Sequence, residues 1–121
     1  MLIENANVDK IPLMGLVHQT LAGERQGLKT LEVWLLTLPP GSESPVGQHY
    51  GEVVCITLQG VGRAVIDQDS FNLAPNTTLI IPPRVSRQVV NAGDQALVVL
   101  IIRGLVRPPE KTMAEIMAGK P

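Results

Sequence analysis

The sequence predicts an all-β barrel or sandwich built as one domain, and three observations carry that expectation. Short apolar runs recur along the chain, each closed by Pro, Gly, Asn or Asp, which is the punctuation of strands and turns rather than of helices. No long helical pattern separates these runs, so alternating βαβ units are excluded. Hydrophobic residues make up 45% of the 121-residue chain but aromatics only 2%, so a packed core must be built mainly from Leu, Ile and Val.

The elements follow in order. Residues 1–11 are mixed and polar and read as an arm or short strand, with Pro12 closing them. Leu13 to Leu21 is apolar around His18 and reads as a strand, and Gly23 to Gly27 as a charged turn. Leu28 to Leu38, rich in Leu, Val and Thr and containing Trp34, is a strong strand candidate ended by Pro39-Pro40-Gly41. A polar loop then carries Ser42, Glu43, Ser44, Gln48 and His49 onto the apolar strand Val53 to Leu58, closed by Gly60. A loop of ligand-type side chains delivered onto a buried strand is how binding sites are mounted on rigid scaffolds. Arg63 to Asp67 and Ser70 to Leu73 predict a hairpin across Gln68-Asp69. Thr77 to Ile81, Ser86 to Asn91 and Gln95 to Arg103 predict three more strands. Only the tail predicts a helix: Pro109 suits its first turn, Met113, Ile116 and Met117 share a face, and Gly119 ends it.

Composition excludes several functions. A net charge of −1 argues against nucleic acid or an anionic membrane as a charge-driven partner. A single cysteine, Cys55, rules out an internal disulfide and a cysteine zinc cluster. No apolar run approaches the roughly 18 residues of a membrane span. The opening residues show no basic segment followed by an apolar one, so the expected location is cytoplasmic. Val53 to Leu58 and Ala96 to Ile102 are apolar on both faces, although a strand wetted on one side should alternate. Something must cover their outer face. A second copy of the chain is the simplest cover, which predicts a homodimer; the arm or the tail helix is the other candidate.

The stretches from Gly41 to Gly60 and from Asn76 to Asn91 resemble the two signature motifs of the cupin superfamily. Gly41, Gly60, Pro82 and Asn91 match outright, while Asn76 and Arg84 stand where the family has glycines. The resemblance covers roughly residues 28–103 and implies a jelly-roll β-barrel with the short tail helix appended. It also implies a site inside the barrel, but the ligand chemistry has changed. Gly47 and His49 stand at the two motif histidines, Val53 at the glutamate and Arg87 at the last histidine, so of the metal-ligand positions only His49 keeps a ligand.

One imidazole is too few for a metal site of the usual kind, which needs several converging His or carboxylate donors. Arg87 cannot be deprotonated and repels a cation. The sequence therefore predicts no metal cofactor. The alternative is a divalent transition metal held by His49 together with Glu43 or Glu52, the latter swung inward by a β-bulge. An arginine inside a barrel must pair with a carboxylate or await an anionic ligand, unless it points to solvent. Alternation along the strands puts Thr57 on the face of Val53 and Cys55, and Trp34 reads as core or pocket wall. The candidate ligand-binding set is thus His49, Arg87, Thr57 and Trp34. Two functions stay open. One is a barrel that binds or senses a small anionic molecule; the other is a metal-dependent cupin enzyme of dioxygenase, isomerase or lyase type with a rebuilt ligand set. Cys55 reads as an inert buried thiol, and His18 as a packed histidine.

Overall fold

In the computed structural model, which describes residues 1–105, two antiparallel sheets face each other. The strands are β1 (Ile11–Leu13), β2 (Leu16–Ala22), β3 (Leu31–Leu38), β4 (Val53–Gln59), β5 (Gly62–Ile66), β6 (Asp69–Leu73), β7 (Thr77–Ile81), β8 (Arg87–Val90) and β9 (Leu97–Gly104). One sheet runs β1-β2-β3-β9-β4-β7 and the other β6-β5-β8. This is the predicted all-β jelly-roll barrel. The predicted tail helix lies outside the described residues. Among the described residues, no helix is long and apolar enough to cross a membrane.

The apolar runs became strands much where turn residues bounded them, with differences of physical interest. The run from Leu13 is broken at Met14 and Gly15, which take positive φ values of 48° and 88° and turn β1 back on β2. Pro12 sits within β1, an edge strand, where the missing N–H costs no ladder bond. The next hairpin turns at Asp67, with φ of 51°, one residue earlier than predicted. Asn76 and Arg84, which replace motif glycines, both adopt φ of 64°. The left-handed geometry therefore survives without glycine. At Arg84 it aims the backbone N–H at the His49 carbonyl, 2.8 Å away, and ties the polar loop to the β7–β8 turn.

The core lies between the sheets. Leu38, Val53, Cys55, Leu97 and Val99 are fully buried, and Leu36, Ala64, Leu73, Ile81, Val89 and Ile101 join them. Each large aliphatic side chain buried there contributes roughly 1.5–3 kcal/mol relative to exposure. The outer faces of β4 and β9 are different: Val54, Ile56, Leu100 and Ile102 stay half-buried. The arm covers only the β2 end of that face, where Gln19 is buried and its Nε2 donates to the Val8 carbonyl at 3.3 Å.

The loop after β3 is tied to β8 as an irregular fourth strand of the small sheet. Gly41, Ser44 and Gly47 donate backbone bonds to Asn91, Val89 and Arg87, and Asn91 and Arg87 donate back to Ser42 and Gly47. Asn91 holds the end of this seam. Its buried Nδ2 donates to the carbonyls of Leu38 and Gln95, both at 2.8 Å, and its Oδ1 accepts from Gly93 N–H at 3.0 Å. Gly60 is required by contact as well as by its φ of 81°, since a Cβ there would lie 2.2 Å from the Ala96 carbonyl oxygen.

Replacing Asn91 by Ala orphans two carbonyls and an N–H in the interior. An unsatisfied buried polar group costs about 1–3 kcal/mol. Urea denaturation of Asn91→Ala should show a loss of about 2–4 kcal/mol; an unchanged midpoint would remove Asn91 from its place as the anchor of this seam.

Candidate anion-binding site

The facing sheets leave a cavity of about 270 Å³ between them. Its wall is mostly aliphatic, with Leu36, Ile66, Ile81, Val89 and Ile101 facing in. Strand alternation explains this lining. On β9 the interior face carries Leu97, Val99, Ile101 and then Arg103; on β3 it carries Glu32, Trp34, Leu36 and Leu38. The apolar end of each strand forms the floor and the polar end the mouth.

Arg87 lines the cavity where β8 meets Gly47. Its Nη1 is buried and has no hydrogen-bond partner, and among the described residues no carboxylate pairs with it. Burial, and then the neighbouring charge of Arg103, pull its pKa down, but a guanidinium stays charged in any protein environment. The Gly47 Cα faces open space: a Cβ added there would meet nothing within 4 Å.

A second guanidinium at the mouth has partners within the protein. Arg103 Nε contacts Glu32 Oε1 at 2.5 Å, its Cζ lies 3.9 Å over the Trp34 ring, and its Nη1 is 3.4 Å from His49 Nδ1. The ion pair is made between residues directly opposite each other on β3 and β9. Trp34 also takes His18 edge-on, with ring centroids 4.7 Å apart. His49 Nε2 lies 2.7 Å from the Gly104 carbonyl, which fixes Nε2 as the protonated nitrogen and leaves Nδ1 to accept from Arg103. Burial lowers the pKa of both histidines from 6.5, with the Gly104 bond opposing it at His49 and Glu32 opposing it at His18.

A sequence model of the auxin binding protein family matches residues 3–116. The chain belongs to the auxin binding protein family. Auxin-binding protein 1 of Arabidopsis thaliana is 37% identical over 107 residues, which are 80% of this chain and 53% of that protein. Auxin-binding protein T92 of Nicotiana tabacum is 38% identical over 109 residues, 80% of this chain and 57% of that one. The matched stretch thus spans little more than half the length of these relatives. Among solved structures, a polyketide cyclase from Streptomyces resistomycificus superposes with a TM-score of 0.78 at 18% identity, covering 93% of this chain and 84% of the cyclase. A cupin-2 domain from Rhodospirillum rubrum superposes at 0.72 with 25% identity, covering 92% of this chain and 80% of that one. These likenesses make the auxin binding protein family member a cupin by fold.

The residues of this family member do not fit the usual cupin metal. Among the described residues, no group of three or more His, Cys, Asp or Glu side chains converges. Both nitrogens of His49 are occupied, one by a carbonyl and one by a guanidinium. Glu43 and Glu52 are exposed, and the regular pairing of Val53 with Ile81 and Arg103 leaves no bulge to turn Glu52 inward.

Of the sequence-predicted ligand set, Arg87 and Trp34 line the cavity, while His49 does not line it and reaches the mouth through its contact with Arg103. Thr57 stands apart from these three, with its Oγ1 buried and without a hydrogen-bond partner. It lies on the predicted face but is 0% exposed, toward the opposite end of β4 from the mouth, and the side chains that line the cavity do not include it. Alternation fixes the face a residue takes but not its depth along the barrel. Arg103 and Glu32 were missed as site residues. Their signal was legible, because Arg103 continues the interior parity of Leu97, Val99 and Ile101, and Glu32 that of Trp34.

The histidine shifts have a consequence for stability. Because both folded pKa values are lowered, the unfolded chain takes up protons first as pH falls. Their stability contribution is complete above about 6.5 and is lost as pH drops through the lowered folded values. The melting temperature should fall on going from pH 7.5 to 5. His18→Phe, which keeps a ring against Trp34, should flatten part of that slope; an unaltered slope would show that His18 carries none of the linkage.

Proposed function

We propose that this protein binds a small organic anion, with Arg87 as the residue that holds it. The observation that carries this is the buried, unpartnered Nη1 of Arg87 on the wall of a largely apolar cavity. An unpaired buried charge is costly, and a ligand carboxylate offers the bidentate acceptor that a guanidinium fork matches. The cavity is near the small end of the roughly 300–1,000 Å³ typical of ligand pockets, so the body of the ligand is small and apolar. The names of the matched relatives support the reading: they are auxin-binding, and an auxin-like aryl acid has a carboxylate for Arg87 and a ring for the aliphatic wall.

We infer further that binding needs no metal, since Arg87 places positive charge where a metal ligand would stand. The same reading makes the protein a cytoplasmic homodimer. The unpaired, buried Cys55 suits a reducing compartment, and the half-buried outer faces of β4 and β9 suit a second copy. Light scattering at micromolar concentration should return twice the chain mass of 13.0 kDa. A monomer mass would leave that apolar face to some other cover.

The binding site is tested by thermal shift and calorimetry with phenylacetate, with and without divalent metals. A charge-assisted hydrogen bond is worth about 1.5–3 kcal/mol, so Arg87→Ala should weaken binding by roughly ten- to a hundred-fold. Arg87→Lys should restore only part, because lysine keeps the charge and loses the fork. His49→Ala should weaken binding less than Arg87→Ala. Gly47→Leu should fold, since its side chain enters open space, yet abolish binding by filling the mouth beside Arg87. Stabilisation by metals alone, or an Arg87→Ala variant that binds phenylacetate as wild type does, would overturn the reading.

A further inference from the structure

Holding an anion with Arg87 leaves open how many charges that anion carries. The groups facing the mouth decide it. Among the described residues, the cations that line the cavity are Arg87 and Arg103, and Glu32, which does not line it, is the carboxylate paired with Arg103 from behind. His18 and His49 are held toward their neutral forms by burial, and the Cys55 thiol near Arg87 is pushed up to about 11 and is also neutral. Glu32 cancels Arg103, and one positive charge remains. Glu32 also disposes of Arg103 geometrically, drawing Nε to itself while the guanidinium face lies on Trp34 and Nη1 meets His49.

We propose that Glu32 is a specificity-determining residue: by neutralising Arg103 it leaves Arg87 as the single uncompensated cation, so the site accepts singly charged organic anions and rejects dianions. This rests on the reading of Arg87 as the anion-holding residue. A second carboxylate on a bound ligand has two places to go. Toward the floor it meets Leu36, Ile81, Val89 and Ile101, which offer no donor to replace its water, and on the wall above them Gln88 Nε2 and Ser44 Oγ already donate to the Ser44 and Pro45 carbonyls. Toward the mouth it meets Arg103, whose charge Glu32 already compensates. Charges in such a partly water-excluded site are screened less than in bulk water, so one compensating carboxylate can choose between a monoanion and a dianion.

Desolvation alone would also disfavour a dianion, but it would do so whatever stands at Glu32. Calorimetry of the full chain at pH 7.5 with benzoate and isophthalate, which differ by one carboxylate on the same ring, separates the two causes. Wild type should bind benzoate at least about tenfold more tightly than isophthalate. Glu32→Gln, which releases Arg103, should reduce that ratio by about tenfold, and Glu32→Gln with Arg103→Gln should restore it. Arg103→Gln alone, which frees Glu32, should widen the ratio and serves independently if Glu32→Gln does not fold. A ratio that Glu32→Gln and Arg103→Gln both leave at the wild-type value overturns the proposal while anion binding stands. So does a wild type that binds both probes equally. If wild type binds neither probe, it is the Arg87 reading that has failed, and this inference with it.

Discussion

A guanidinium cannot surrender its charge, and Arg87 carries one into the interior of a small barrel. That constraint organises the site. A lysine or histidine there could lose its proton and become tolerable, whereas arginine can only be paired, solvated or left waiting. Among the described residues no carboxylate meets it. The other arginine of the mouth shows what satisfaction looks like: Arg103 is paired, stacked and hydrogen-bonded at once. The contrast between these two residues of like chemistry gives the site its polarity.

The frame around Arg87 is held by backbone bonds rather than by its own side chain. The loop from Gly41 to Gly47 is laced to β8, Asn91 satisfies three backbone groups at one end, and the Arg84 N–H holds the His49 carbonyl at the other. Arg84 accepts a left-handed conformation to do so, at a cost that a glycine would avoid. Such strain is tolerated where the surrounding structure over-determines it, and here it aims a backbone donor. The glycine at Gly47 leaves the space beside Arg87 open, while the glycine at Gly60 allows β4 to pass the Ala96 carbonyl.

The motif positions that would build a cation site carry side chains of a different electrostatic character here, with little change of scaffold. Gly47 contributes space, Val53 contributes core, and Arg87 contributes charge of the opposite sign to the ligand it would hold. His49 turns from a would-be ligand into a bracket between Gly104 and Arg103. Because the backbone bonds of the motif do not depend on these side chains, the barrel can host either electrostatics. The fold by itself selects neither.

The sequence by itself determined the fold class, the strand series and the residue types at the motif's ligand positions. Turn residues bound the strands, period-two alternation sets which face is buried, and residue type decides what a position can ligate; all three are local. Arg87 and His49 were legible as candidate site residues because the motif spacing marks them. What only the tertiary structure decided is which groups meet. Met14 and Gly15 break a run that reads as one strand because the chain must reverse there to pair β1 with β2. Thr57 shares a face with the site yet lies deep in the core, since parity says nothing of position along the barrel axis. Glu32 and Arg103 stand far apart in the chain and become opposite neighbours only when β3 pairs with β9. Their contact cancels one of the two charges at the mouth, and a charge sum over a site exists only once long-range strand pairing has assembled it.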